Sequence, residues 1–320
     1  MMNITRGEFL KMVGLGTAGL VATSALPAFA EEKEKQDLFP GRGRWERLSI
    51  VSQHVDTGAT KPFSILHISD THLTEAYPGE SEWTRRRAKQ RSKVFGGHQE
   101  ESLRDSLVWA KQHVDYVIHT GDLIDFQSEA NFDLVRKYYG KYTGTITGSL
   151  GNHEFFCGQA KAQETDAFKK EMAAKLAEVY PFDISLQSTV VNGVNFVTLD
   201  NVYGTVTAEQ ATRFEDEAKK CLPIVLCMHC PIDTPNIRRA ASKYWKREDL
   251  KTFPDVTNFK LRCRDSVTKD FIAYLKSLPL LKAILAGHYH ITVADRFSPT
   301  AMEYLVGGNF IFHGQEITFS

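Results

Sequence analysis

Short apolar runs recur along the chain and alternate with longer stretches whose apolar residues are three or four positions apart. The runs have the length of buried strands, and five of them are 63–68, 114–118, 145–150, 223–228 and 281–285. The stretches with helical spacing predict helices at 100–113, 129–139, 160–179, 208–219 and 267–277. The resulting order βαβαβ predicts an α/β fold.

Further strands are predicted where no helical pattern intervenes. Residues 47–55 form a candidate edge strand. The dipeptide Asn192-Gly193 favours a tight turn, and it lies between the apolar runs 184–191 and 194–199, which predicts a hairpin. Residues 291–319 are expected to consist entirely of strands.

Each of the five apolar runs ends at a short block of residues that can bind a metal ion. The blocks are Asp70-Thr-His72, Gly121-Asp122-Leu-Ile-Asp125, Gly151-Asn152-His153-Glu154, His229 and Gly287-His288-Tyr-His290. Loops at the carboxyl ends of strands converge in α/β sheets, so distant blocks can reach one cleft. Carboxylates, an amide oxygen and several imidazoles suit Mn, Fe or Zn better than Mg. We therefore expect a site for two divalent metal ions.

This ordered set resembles the calcineurin-like metallophosphoesterase family, whose pattern D-x-H, G-D-x-x-D, G-N-H-E, H and G-H-x-H is matched at every position. The resemblance implies an α/β sandwich of two facing mixed sheets flanked by helices, formed by a catalytic domain at 63–320. It also implies hydrolysis of a phosphate ester by a hydroxide that bridges two metal ions. Asp125 stands where purple acid phosphatases have a metal-binding tyrosine, which argues against an iron–tyrosinate centre.

The same resemblance implies a role for nine side chains. The first metal would be bound by Asp70, His72 and His290, the second by Asn152, His229 and His288, and both by Asp122. Two further residues would be catalytic without binding metal. His153 would face the leaving group, and Asp125 would orient the imidazole of His153. Glu154 is expected to support its loop.

Several other polar residues are expected to have simpler roles. His67 and His119 lie within apolar strands, which favours hydrogen-bonded core histidines. The basic stretches 85–93 and 238–247 follow two of the blocks and are candidates for binding phosphate, although such stretches are more often solvated helix faces. Residues 231–264, rich in basic and aromatic side chains, form a candidate substrate cap.

The first thirty residues have the pattern of a cleavable export signal. Arg6 and Lys11 precede a stretch of small and apolar residues at 12–27, and Ala28-Phe-Ala30 has the small-x-small form of a cleavage site. We expect a periplasmic or secreted protein, exported by a general or a degenerate twin-arginine route. An uncleaved membrane anchor is the alternative. Residues 31–62 would then be a charged linker with the edge strand.

Composition narrows the range of partners. The 39 basic and 39 acidic residues cancel, which argues against nucleic acid or an anionic membrane as the main partner. A small phosphorylated substrate is expected, as a monoester or a diester, and no oligomeric state is indicated. Three alternatives remain: a class III cyclic-nucleotide phosphodiesterase, a metal-dependent binding protein without turnover, and a redox dithiol at Cys227 and Cys230.

Overall fold

Two mixed β-sheets with helices on their outer faces make up the computed structural model, which describes residues 45–141, 146–157, 165–246 and 266–320. The strands in these ranges are β1 (Ser49–Val55), β2 (Phe63–Ile68), β3 (Tyr116–Thr120), β4 (Ile146–Ser149), β5 (Leu186–Val191), β6 (Val194–Leu199), β7 (Ile224–Cys227), β8 (Leu281–Ala286), β9 (Val293–Arg296), β10 (Met302–Leu305) and β11 (His313–Phe319). The helices are α1 (Glu82–Val94), α2 (Gln99–His113), α3 (Glu129–Lys141), α4 (Asp166–Ala177), α5 (Ala208–Ala218), α6 (Pro235–Trp245) and α7 (Ser266–Ser277).

The strand order of each sheet combines parallel and antiparallel pairs. The first sheet has the order β1-β11-β2-β3-β4, with β2, β3 and β4 parallel and β11 antiparallel to β2. The second has the order β5-β6-β7-β8-β10-β9, with β6, β7, β8 and β10 parallel. The strand predicted near 47–55 is β1, and it lies at an edge of the first sheet.

The two sheets face each other across an apolar layer. Phe63 and Phe319 of the first sheet stack with their ring centroids 5.2 Å apart, and Phe196 of the second sheet packs edge-on against both. Two further apolar clusters lie on the outer faces, one involving α2, α3 and α4 and the other α5 and α7. This is the α/β sandwich that the sequence predicted.

Most predicted elements are found with ends shifted by a few residues. The predicted hairpin joins β5 to β6, and its turn residues Asn192 and Gly193 both have positive φ angles, 47° and 84°, as a type I′ turn requires. The region 291–319 contains a short 3₁₀ helix at Asn309–Ile311 in addition to its strands. Helices α1 and α6 were not predicted, because α1 buries none of its residues and α6 lay within the segment assigned to a cap.

The blocks that follow β2 and β3, and those that follow β7 and β8, remain paired beyond the ends of their strands. The amide of Asp70 donates to the carbonyl of Gly121 at 2.9 Å, and the amide of His72 donates to the carbonyl of Asp122 at 2.9 Å. In the second sheet the amide of Gly287 donates to the carbonyl of His229 at 3.1 Å. The blocks therefore lie side by side at one end of the sandwich.

Parts of the sequence predictions fall on residues that the structure leaves undescribed. These are the export signal at 1–30, the linker as far as residue 44, the start of the predicted helix at 160–179, and residues 247–264 of the predicted cap. In the ranges that are described, the helices are too short or too polar to cross a membrane.

The close approach of the loops after β3 and β4 leaves no room for a side chain at Gly151. A Cβ atom there would lie 2.2 Å from Asp122 Oδ1 and 2.4 Å from the Asp122 amide nitrogen. By contrast, a Cβ atom on Gly140, an exposed residue of α3, would have nothing within 4 Å.

We predict opposite effects on stability from the same substitution at these two glycines. Gly151→Ala should lower the free energy of unfolding by roughly 1–3 kcal/mol, because the new methyl group forces the two loops apart. Gly140→Ala should raise it by about 0.5–1 kcal/mol, because alanine loses less backbone entropy in a helix. Urea denaturation measures both, and equal stability of the two variants would contradict the proposed loop packing.

Candidate metal centre

Asp70, His72 and His290 form the first group of potential metal ligands. Nε2 of His72 and Nε2 of His290 are 3.1 Å apart, and they lie 3.8 and 3.3 Å from Asp70 Oδ1. This oxygen is buried and has no hydrogen-bond partner among the described residues, whereas Oδ2 of Asp70 accepts from the His288 amide at 2.9 Å. Three potential lone-pair donors thus face one point, as ligands about 2.0–2.2 Å from a cation would.

A second group surrounds Nε2 of His229. This nitrogen lies 3.1 Å from Nδ1 of His288, 3.2 Å from Oδ1 of Asn152 and 3.3 Å from Oδ2 of Asp122. The loops after β3, β4, β7 and β8 each contribute one of the four side chains. The spacing again suits atoms that share a cation.

Asp122 connects the two groups. Its Oδ2 is 3.3 Å from Nε2 of His229 in the second group and 3.7 Å from Nε2 of His72 in the first. The structure therefore brings all seven residues expected to bind metal into one largely buried cluster, with Asp122 between the two halves. The pKa of Asp122 lies well below its usual value, because the neighbouring imidazoles outweigh the effect of burial.

Hydrogen bonds at the second ring nitrogen orient two of the imidazoles. Nδ1 of His229 donates to the Thr120 carbonyl at 2.7 Å, and Nδ1 of His72 donates to Asp125 Oδ1 at 3.2 Å. Each bond fixes the tautomer and directs the Nε2 lone pair into the cluster, which is the usual arrangement of metal-binding histidines. Burial lowers the pKa of His72 to about 4, which keeps this ring neutral, as a ligand must be.

The cluster nevertheless favours positive charge overall. Burial alone would lower the pKa of His229, but the carboxylates of Asp122 and Asp70 more than offset it and raise this pKa to about 10. Buried carboxylates attract either a proton or a cation, and the donor set of imidazole, carboxylate and amide oxygen suits first-row divalent ions.

The backbone is left-handed at five of these seven residues. The φ angles are 55° at Asp70, 52° at His72, 54° at Asp122, 70° at His288 and 58° at His290. Non-glycine residues seldom adopt this conformation, which costs on the order of 1–3 kcal/mol each and concentrates at functional sites. The pairing of the blocks holds these residues in place.

The expected pairing of His153 with Asp125 is present. Nδ1 of His153 lies 2.9 Å from Asp125 Oδ1, and the His153 side chain is 23% exposed, which leaves it accessible from the cleft. Burial lowers the pKa of His153, but the carboxylates of Asp122 and Asp125 outweigh it and raise this pKa to about 9. Asp125 accepts from His72 through its carboxylate and from His153 Nδ1 through its backbone carbonyl at 3.0 Å, so these three residues form a hydrogen-bonded network beside the cluster.

Glu154 supports its loop, as expected, through more contacts than its sequence position indicated. Its buried carboxylate accepts from the amides of Gly151, Asp122 and Leu123 at 2.7, 2.9 and 2.6 Å, and from that of Ile124 at 3.3 Å. It therefore ties the loop after β4 to the loop after β3.

Helix α1 supplies residues that sequence reasoning did not place at the site. Arg91 binds Asp125 through two hydrogen bonds, Nε to Oδ2 at 2.7 Å and Nη2 to Oδ1 at 2.8 Å. Phe95, directly after the helix, stacks on the His72 ring with centroids 4.4 Å apart. The basic stretch 85–93 is thus only partly a solvated face. The positive charge of this stretch was the only feature of the sequence that could have indicated its role, but no sequence pattern linked it to Asp125.

Helix α6, the described part of the predicted cap, reaches the first group. Nε1 of Trp245 donates to the Tyr289 carbonyl at 3.1 Å, and the Trp245 ring lies 5.6 Å from that of His290. In the second basic stretch, Arg238 pairs with Asp233 at the start of this helix.

Other histidines and the buried cysteines have structural surroundings. His67 and His119 are buried and hydrogen-bonded to Thr120 and Thr71 at 2.9 Å, so both predictions of core histidines are confirmed. Burial lowers their pKa values to about 4 and about 3. Cys227 and Cys230 are buried, and burial raises both thiol pKa values, which opposes a reactive dithiol.

Solved structures that match this chain include three phosphatases or nucleotidases. A dimetal phosphatase from Danio rerio is 15% identical, with 78% of this chain and 88% of that chain covered and a TM-score of 0.49. A putative 5′-nucleotidase from Staphylococcus aureus is 15% identical, with 78% of this chain and 49% of that chain covered and a TM-score of 0.41. A purple acid phosphatase from yellow lupin is 13% identical, with 79% of this chain and 45% of that chain covered and a TM-score of 0.46. The chain thus spans about half the length of the last two.

The family assignment rests on a sequence model and not on these structures, whose TM-scores are all below 0.5. No curated protein matches the chain significantly. The family model for calcineurin-like phosphoesterases matches residues 63–292, which include all nine residues of the candidate site. The chain therefore belongs to the calcineurin-like phosphoesterase family and is a hydrolase that acts on phosphate ester bonds.

Proposed function

We propose that this chain is an exported, metal-dependent phosphoesterase that hydrolyses a small phosphate monoester or diester at a centre of two divalent ions. The observation that carries the proposal is the convergence of two groups of ligand atoms on either side of Asp122 Oδ2. A single cation could not be reached by both groups at ordinary ligand distances, whereas two ions could be held by the two groups, with Asp122 as a ligand of both.

The residues present suit such a centre. We assign Asp70, His72 and His290 to one ion, Asn152, His229 and His288 to the other, and Asp122 to both. Oδ1 of Asp70 supports this assignment, because it is buried and accepts no hydrogen bond from the described residues, which is costly unless a cation binds it. Asn152 would bind through its amide oxygen without cancelling further positive charge. We expect Mn, Fe or Zn.

The protein residues around the centre would carry out the remaining chemistry. When bound, two divalent ions supply positive charge for the phosphate and lower the pKa of a water molecule toward neutrality. His153, held by Asp125 and exposed to the cleft, would donate a proton to the departing oxygen. Arg91 binds both oxygens of Asp125, and its positive charge holds this carboxylate ionised beside the two imidazoles.

Loss of the shared carboxylate should impair both metal positions. We predict that Asp122→Asn lowers phosphoesterase activity at least about a hundredfold and reduces bound metal, because it removes charge from both ions. Activity on p-nitrophenyl phosphate, its bis ester and cyclic AMP with added Mn²⁺, together with metal analysis, measures this. Wild-type protein should also lose activity in chelator and regain it with Mn²⁺.

Asp216→Asn is the matched control for this substitution, because Asp216 is an exposed residue of α5 that forms an ion pair with Lys219. It should retain full activity and metal content. Full activity with a single tightly bound ion would rule out the two-metal centre, as would unchanged activity of Asp122→Asn.

Removal of His153 should affect substrates according to their leaving groups. We predict that His153→Ala retains both metals and slows hydrolysis of an alkyl phosphate by roughly a hundredfold or more, because an alkoxide needs a proton to depart. The effect on p-nitrophenyl phosphate should be much smaller, since that leaving group departs as an anion. Measurement of kcat and metal content for both substrates gives the comparison.

His229→Ala provides the contrast, because it should lower metal content and slow both substrates together. Equal losses on the two substrates in metal-replete His153→Ala would assign His153 to phosphate binding and not to proton donation. Loss of a metal in that variant would make His153 a ligand.

Export can be tested on the protein as the cell makes it. We predict that residues 1–30 are removed and that the mature chain begins near Glu31, because the small-x-small site ends at Ala30. Mass spectrometry of fractionated cells measures the N-terminus. An intact N-terminus on cytosolic protein would contradict export, and full-length protein in the membrane fraction would support the anchor instead.

A further inference from the structure

Arg87, one helical turn before Arg91 on α1, stands beside the same carboxylate without forming a hydrogen bond to it. Its Nη2 is 3.8 Å from Asp125 Oδ2, beyond hydrogen-bond distance. The guanidinium carbon lies 4.8 Å from the centre of the Phe156 ring, which holds the group in place. The side chain is 25% exposed, so part of it can be reached from solvent.

Asp125 does not require this second arginine. Arg91 already occupies both carboxylate oxygens at 2.7 and 2.8 Å, His72 also donates to Oδ1, and Nδ1 of His153 lies 2.9 Å from that oxygen. Nε of Arg87 is buried and has no hydrogen-bond partner within the described part of the chain. A guanidinium has five donors, so Arg87 retains capacity for an anion that the protein itself does not supply.

Arg87 lies close to the place where the leaving group of the substrate is expected. Arg87 and His153 approach Asp125 from its two different oxygens, Oδ2 and Oδ1. Phe156, beneath the guanidinium, belongs to the turn that carries His153, since its amide donates to the His153 carbonyl at 3.0 Å. A substrate group attached to the oxygen that His153 protonates would therefore lie near Arg87.

We infer that Arg87 is a specificity residue that binds an anionic group, a carboxylate or a second phosphate, on the alcohol side of the substrate. This inference rests on the proposed function, because it takes the leaving group to depart toward His153. It narrows the substrate class to phosphate esters of acidic alcohols. An arginine fork suits such groups, because two parallel N–H donors match the two oxygens of a carboxylate.

A pair of phosphonates that resist hydrolysis tests the inference by binding alone. The compounds are 2-hydroxy-4-phosphonobutyrate and 3,4-dihydroxybutylphosphonate, which differ by a carboxylate in place of a hydroxymethyl group. With Mn²⁺ present, calorimetry on the wild-type protein should give roughly tenfold or tighter binding of the carboxylate compound. Arg87→Gln should bind the two compounds alike.

Arg86→Gln is the matched control, because Arg86 is the exposed neighbour of Arg87 on the same helix and the substitution removes the same charge. It should keep the wild-type preference. Equal affinities in the wild-type protein, equal weakening of both compounds in Arg87→Gln, or loss of preference in Arg86→Gln would each overturn the inference. Equal weakening of both compounds in Arg87→Gln would indicate that Arg87 only supports Asp125. Loss of preference in Arg86→Gln would indicate a general electrostatic effect of the helix.

Kinetics with the corresponding esters separates this inference from the proposed function. The wild-type protein should favour 3-phosphoglycerate over glycerol 3-phosphate in kcat/KM, Arg87→Gln should remove that preference, and Arg86→Gln should keep it. If no ester is hydrolysed, the proposed phosphoesterase activity fails. The phosphonate measurements still decide whether Arg87 binds the anion.

Discussion

The geometry of the candidate centre depends on one buried carboxylate that takes no part in it directly. Glu154 accepts hydrogen bonds from amides of the loops after β3 and β4. A buried negative charge is costly unless amides or cations surround it, and burial raises the pKa of Glu154 to about 7. Because the same loops carry Asp122 and Asn152, these amide contacts determine how close the two ligands lie.

Three acidic residues from two neighbouring loops are thereby given three different tasks by their surroundings. Asp122 faces imidazole nitrogens, Asp125 faces a guanidinium and imidazole N–H groups, and Glu154 faces backbone amides. The chemistry of the three carboxylates is nearly the same, and only their neighbours differ. Hydrogen bonds from several separate loops and from α1 hold the ligand residues in place, even though the backbone of many of these residues is strained.

Sequence reasoning predicted what depends on local pattern. Apolar runs predicted the strands, and ordered polar blocks predicted the nine residues that the structure brings together. It did not place Arg91 on Asp125 or find α1, because a helix that buries none of its residues has no apolar periodicity to detect. The amide contacts of Glu154 and the left-handed φ angles were equally hidden, since both arise only when separate loops meet.

The position of β11 has a consequence for biosynthesis. This strand, at 313–319, is inserted between β1 and β2, so the pairing of β1 with the sheet joins residues as far as 264 positions apart. The first sheet cannot close while the ribosome is still producing the intervening chain, a delay on the order of tens of seconds at ordinary translation rates. During that time the nascent polypeptide exposes an unpaired edge of β2, and it would depend on chaperones to avoid aggregation.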